Sequence, residues 1–269
     1  MQLTHLYIYP IKSLGGIPLQ EAGLTPRGMA FDRRWMLVDR DGHFFTQRKY
    51  PKMALLKTAL TEDRLLVTST EQKDASIEIP LRQAAFPGYL QVQVWDDRCL
   101  AARVSDEVDE WFSDMLDLSC HLVYMPDTTM RPTNPKYSDP GDMVSFADGY
   151  PYLVIGQASF DDLNARLAEP VPMNRFRPNI VFSGGAPFEE DHWKRFRIGD
   201  TVFSGAKPCA RCVMTTIDQQ TAEQGKEPLA TLSMYRRRSN DVFFGLNALL
   251  RNAAPNAVLR IGDEITVEH

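Results

Sequence analysis

A chain of 269 residues, 43% hydrophobic and 24% charged, can bury a large core as one compact body or as two joined domains. A formal net charge of -5, with Arg236-Arg237-Arg238 as its nearest approach to a charge block, argues against a nonspecific nucleic-acid binder, and no stretch is long and apolar enough to span a membrane. The opening "MQLTHLYIYPIKSL" lacks a basic start and is broken by Pro10 and Lys12, so no signal peptide is expected and Cys99, Cys120, Cys209 and Cys212 are expected as reduced cytoplasmic thiols.

The first hundred residues read mostly as strands. "LTHLYIYP" (3–10), "RWMLVD" (34–39), "HFFTQR" (43–48), "RLLVTS" (64–69), "SIEIP" (76–80) and "LQVQVW" (90–95) are short apolar or alternating runs, separated by turn signals such as Gly15-Gly16, Asp41-Gly42 and Pro87-Gly88. Short strands with tight turns predict a barrel or sandwich. A helix follows over "SDEVDEWFSDMLD" (105–117), with Ser105 as N-cap, acidic residues in the first turn, and Val108, Trp111, Phe112 and Met115 on one face.

After a strand "HLVYM" comes "PDTTMRPTNPKYSDPGD" (126–142), a proline-rich loop long enough to expect a function for it. A second helix, "SFDDLNARLAE" (159–169), takes Ser159 as its cap. Strands return in "NIVFSG", "WKRFRIG", "TVFSGA", "CVMTTID", "DVFFGLNALL" and "IGDEITVE", with a short helix over "PLATLSMYRR". The pattern predicts a mainly β, α+β fold with few helices, in two β-dominated parts, 1–120 and 121–269. Trp35, Trp95, Trp111 and Trp193 are expected to pack the interior, and the histidines show no ligand spacing.

"KPCARCVMTTID" (207–218) sets Cys209 and Cys212 three positions apart. They could be small buried apolar residues. Zinc would need two further ligands, which Cys99 and Cys120 do not supply at suitable spacing. A thioredoxin-like dithiol would need a helix N-terminus, whereas the run after Cys212 prefers a strand. The remaining reading is a thiolate ligand for a soft metal or a metal cofactor, which calls for basic residues to hold an anionic cofactor. Three segments offer them: "YPIKSLGG" with Lys12 and Ser13, "AFDRRW" with Asp32, Arg33 and Arg34, and "NRFRPNIVFSG" with Arg175, Arg177 and Asn179.

Taken in order, "PIKS", "FDRRW", "SFADGYPY", "FRPN" and "KPCARCVMTTID" resemble the MOSC-domain proteins with an N-terminal β-barrel domain, the group that includes the mitochondrial amidoxime-reducing component and its bacterial relatives. The resemblance covers nearly the whole chain. It implies a β-barrel MOSC domain after an N-terminal barrel-like domain, and a molybdenum cofactor of the molybdopterin type. Cys212 would be the metal ligand and catalytic centre, with Cys209 a near neighbour. Lys12, Ser13 and Arg33 would hold the cofactor's phosphate, and Arg177 and Asn179 its pterin side. Asp148 would be a cofactor contact and candidate proton donor, followed here by Gly149 and Tyr150 where relatives can carry small hydroxyl residues. Arg131 would be a basic residue nearby.

The implied activity is reduction of N-hydroxylated compounds such as amidoximes, hydroxylamines and N-hydroxylated base analogues, a detoxifying reaction. Some relatives carry a C-terminal iron-sulfur domain that this chain, ending at His269, does not show, so electrons are expected from a separate flavoprotein or iron-sulfur protein. The alternative is a carrier of cofactor or sulfur without turnover. Pyridoxal phosphate is a further ligand that the resemblance leaves open.

Overall fold

The computed structural model describes residues 1–83 and 85–268. The fold is mainly β with three α-helices among the described residues, Asp106–Leu116, Gln157–Arg166 and Leu229–Tyr235. Among the described residues no helix is long and apolar enough to cross a membrane. The largest sheet has nine strands and runs Ile265–Glu268, Arg195–Ile198, Thr201–Arg211, Asp241–Asn252, Tyr152–Gly156, Ile180–Ser183, Gln2–Ile8, Ile17–Leu19, with Arg237–Arg238 paired beside Asp241–Asn252. Its inner face buries Leu3, Leu6, Tyr152, Phe182, Trp193, Phe196 and Phe203 in one core. Tyr152–Gly156 and Ile180–Ser183 are parallel, so they need the crossover that the helix Gln157–Arg166 supplies.

A second sheet of four strands, Trp35–Val38, His121–Tyr124, Asp97–Arg103 and Tyr89–Val94, packs with the three-stranded meander Leu56–Leu60, Arg64–Ser69 and Ser76–Pro80 around Trp35, Leu37, Leu65, Val67 and Phe112. The helix Asp106–Leu116 closes this core. Ser105 caps it, accepting from the Val108 amide at 3.2 Å, and Asp117 ends it in a left-handed conformation. Strands cross residue 120 in both directions. Gln2–Ile8 pairs with Ile180–Ser183 in the large sheet, while His121–Tyr124 pairs with Trp35–Val38 in the smaller one.

Four expectations need correction. Residues 43–48 form no strand, only the bridges Val38↔Phe44 and His43↔Gln93, because the chain turns at Thr46, whose carbonyl accepts from Lys49 and Tyr50 before Pro51 starts a 3-10 turn. "TVFSGA" and the cysteine pair belong to one long strand, Thr201–Arg211, and Val213–Thr216 is a 3-10 turn, not a strand. The second helix begins at Gln157 after Gly156; Ser159 is buried inside it, donating to Glu190 Oε2 at 2.8 Å and accepting from the Phe188 amide at 2.7 Å. Trp95 is 42% exposed.

Candidate functional site

A cleft opens beside the large sheet, which contributes Leu153, Cys209 and Asn247 to its lining, and loops bring Lys12, Arg33, Arg48, Asp148 and Arg177 to it. One wall is built by the chain leaving the strand Gln2–Ile8. Lys12 and Ser13 lie in the turn after it, and the neighbouring turn carries Arg33. Asp32, 1% exposed, accepts the Tyr9 amide at 2.8 Å and binds Arg33 Nη1 with both oxygens at 2.8 and 2.7 Å. Asn179 Oδ1 accepts from the same Nη1 at 3.1 Å and from the Leu153 amide at 3.2 Å, so Asn179 orients Arg33 and ties it to the large sheet.

Two guanidiniums pack on the Tyr9 ring, Arg33 4.3 Å and Arg177 4.1 Å from its centroid. Gly16 permits this arrangement, since a Cβ there would lie 2.4 Å from Tyr9 Cε1. Burial, with Arg33 nearby, lowers Arg177 to about 10. Arg177 Nη1 donates to the Leu14 carbonyl at 2.7 Å, and its Nη2 is buried with no hydrogen-bond partner among the described residues.

The opposite wall carries the sulfurs. The strand Thr201–Arg211 brings Cys209 to the cleft, and the turn that follows brings Cys212. Each sulfur accepts from a different arginine at 3.1 Å, Cys209 from Arg211 Nη1 and Cys212 from Arg48 Nε. Arg211 also donates to the Phe176 carbonyl at 2.7 Å.

Between the walls, Asp148 presents a side chain that is 54% exposed. It accepts Lys12 Nζ at 2.5 Å, Arg48 Nη2 at 2.9 Å and Trp95 Nε1 at 3.2 Å. Dehydration in the cleft opposes its charge, yet Lys12 and Arg48 prevail and hold the carboxyl well below the usual carboxylate range. Such a group is an ion-pair partner, which argues against Asp148 as a proton donor. Burial lowers Lys12 to about 8, against the pull of Asp148 and with Arg131 and Arg48 adding to the depression.

Lys12, Ser13, Arg33, Asp148, Arg177, Asn179, Cys209 and Cys212 all line this cleft. Arg131 does not. It is 2% exposed and donates to the carbonyls of Ser145 at 2.6 Å, Ala147 at 2.5 Å and Asp148 at 3.2 Å, so the proline-rich loop pins the segment carrying Asp148 from behind. Lys207 sits over Tyr137 and Tyr150, 5.3 and 5.7 Å from their ring centroids. Sequence reasoning missed Arg48 and Trp95. Arg48 lies 164 positions from Cys212, and "HFFTQR" reads as a strand, so only the turn at Thr46 reveals it.

The lining holds six cationic side chains, Lys12, Arg33, Arg48, Arg175, Arg177 and Arg211, of which Lys12 and Arg48 pair with Asp148, Arg33 with Asp32 and Arg175 with Asp218. Arg177 and Arg211 donate to carbonyls, not carboxylates, and the Nη2 of Arg177 is left over. In a chain of net charge -5, this concentrated positive charge beside two sulfurs fits an anionic group that also carries a thiophilic metal.

Comparison with known proteins bears on this pattern directly. Residues 1–119 match the MOSC N-terminal beta barrel domain and residues 141–266 the MOSC domain. Mitochondrial amidoxime-reducing component 1 of Mus musculus is 34% identical over 244 residues, covering 87% of this chain and 71% of that protein. The chain belongs to the MOSC family.

The human mitochondrial amidoxime-reducing component 1 is 31% identical to this MOSC protein, over 87% of this chain and 72% of its own length. A molybdenum cofactor sulfurase of Oryza sativa subsp. japonica is 31% identical over 91% of this chain, which spans only 32% of that longer protein. Among solved structures, YiiM from Geobacillus stearothermophilus is 14% identical with a TM-score of 0.33, over 45% of this chain and 55% of that one, too distant to carry an argument.

Proposed function

We propose that this MOSC protein holds a molybdenum cofactor of the molybdopterin type in the cleft and reduces N-hydroxylated compounds, such as amidoximes, with electrons from a separate donor protein. The observation that carries the reading is the joint lining of one cleft by Lys12, Ser13, Arg33, Arg177 and the sulfur of Cys212. It is supported by identity to proteins named amidoxime-reducing components over more than two thirds of their length.

When bound, such a cofactor would supply the metal centre for the redox chemistry. Net reduction of an N–O bond takes two electrons and two protons and releases water. The chain's own residues do the rest. Lys12, Ser13 and Arg33 would receive the phosphate, Arg177 the adjoining polar edge through its unpartnered Nη2, and Cys212 the metal. Asp148 keeps Lys12 and Arg48 in place, and Arg131 holds the backbone beneath it.

The match to sulfurases over most of this chain favours a second reading, a carrier that binds cofactor or sulfur without turnover. Steady-state reduction of benzamidoxime by molybdenum-loaded protein, with a chemical reductant as electron source, separates the two. The reductase reading expects benzamidine to form over many turnovers. Full metal loading with no benzamidine would leave the carrier.

A further inference from the structure

Arg48 stands between the two ends of the cleft. Its Nε donates to Cys212 Sγ at 3.1 Å and its Nη2 to Asp148 Oδ2 at 2.9 Å. The other oxygen of Asp148 accepts Lys12 Nζ at 2.5 Å. Lys12, Asp148, Arg48 and Cys212 thus form an unbroken series in which donors and acceptors alternate, from the ammonium at the anion wall to the sulfur opposite. Arg48 donates to both Cys212 and Asp148, and Asp148 accepts from both Arg48 and Lys12, beside side contacts to Thr46 and Trp95, so freeing Arg48 from the sulfur leaves its guanidinium to Asp148.

The segment carrying Arg48 is itself held at both ends of the cleft. The Arg48 guanidinium lies 4.7 Å from the Trp95 ring centroid and donates to Thr46 Oγ1 at 3.3 Å. Gln47, completely buried, exchanges two amide hydrogen bonds with Gln219 at 3.2 and 3.0 Å and donates to the Ser13 carbonyl at 2.7 Å. One short turn therefore grips the anion loop at Ser13, the loop beyond the cysteines at Gln219, and the sulfur of Cys212.

We propose that this relay makes the two ends of the cleft cooperative, with Arg48 as the positioning residue. Capture of the Cys212 sulfur by another partner lets Arg48 settle on Asp148, which loosens the hold of Asp148 on Lys12 and readies the ammonium for an anion. Linkage makes the effect reciprocal, so an anion on Lys12 also releases the sulfur. A ligand carrying both a phosphate and a thiophilic metal is then held better than its two fragments, and free phosphate or free metal ion is disfavoured. The inference rests on the proposed function only for the identity of that ligand.

The test is a double-mutant cycle on the full chain, read as the affinity for inorganic phosphate by calorimetry at constant ionic strength and pH 7. Cys212→Ala removes the sulfur and is expected to tighten phosphate by about fivefold or more in the presence of Arg48. In an Arg48→Gln background the same change should shift the affinity by less than about twofold. Should Arg48→Gln not fold, Arg48→Lys gives the same corner of the cycle, since a single ammonium cannot make both of the divergent bonds.

Unchanged affinity on Cys212→Ala would overturn the relay. So would equal tightening in both backgrounds, which would mean only a general change of field, or the lack of saturable phosphate binding in every variant. Because neither metal nor turnover enters the measurement, its failure is distinct from failure of the reductase reading, which the benzamidoxime assay reports.

Discussion

Ser13, Arg33 and Arg177, all in the cleft lining, have positive φ of 68°, 49° and 55°. Side chains other than glycine avoid this region at a cost of about 1–3 kcal/mol each, so three such residues around one cleft indicate a site over-determined by its surroundings. Asp32, Tyr9 and Asn179 provide that support. Lys12 carries a pH consequence. Its ammonium loses its charge near pH 8, so affinity for inorganic phosphate should fall as pH rises through about 8, and Lys12→Met should remove that step from a calorimetric pH series. A step surviving in the variant would assign it elsewhere. The sign for stability is opposite, because the folded protein holds this proton less tightly than the unfolded chain. Above pH 8, up to the ordinary lysine range, unfolding takes up a proton and this group's contribution to stability rises.

At the scale of elements, the long strand Thr201–Arg211 delivers the sulfurs, and its course is irregular. Its register against Asp241–Asn252 shifts at three places, one of them between Gly205 and Lys207. A Cβ on Gly205 would lie 2.0 Å from the Trp193 carbonyl oxygen, which cannot move without disturbing the neighbouring backbone. Gly205→Ala is expected to cost on the order of 1–3 kcal/mol in urea denaturation and to weaken phosphate binding through the displaced strand. Wild-type stability in that variant would show the strand to be adaptable.

This strand also shows what the sequence made legible. The cap and apolar face of Asp106–Leu116 are local signals and were readable at once, as were Arg64–Ser69 and Ser76–Pro80. The β-branched run after Cys212 instead forms a 3-10 turn, because Thr215 and Thr216 turn their hydroxyls back onto the carbonyls of Cys212 and Val213 at 3.0 and 2.7 Å. Side chain to backbone bonds of this kind compete with strand formation, and a periodicity argument does not see them. Lys12, Ser13, Arg33, Arg177 and Cys212 were legible because each stands in a recognisable short motif. Arg48 and Trp95 stand in none, and join the cleft only through contacts spanning 164 and 53 positions.

Over the whole molecule, the crossing of strands between sheets explains why the cleft has walls from distant parts of the sequence. Gln2–Ile8 is built into the large sheet through Ile180–Ser183, so the loop bearing Lys12 and Ser13 is placed by the same framework that carries Arg177 and Asn179. The Gln47–Gln219 pair adds a buried tie across 172 positions. The result is a concentration of cations in an acidic protein, facing two sulfurs. The most direct test of this account is molybdenum per chain, by elemental analysis of protein from a host that makes the pterin cofactor, for wild type, Cys212→Ser and Cys209→Ser. Near-stoichiometric metal in wild type, none in Cys212→Ser and only a partial loss in Cys209→Ser is the predicted result; no metal in wild type, or equal losses in the two variants, would contradict it.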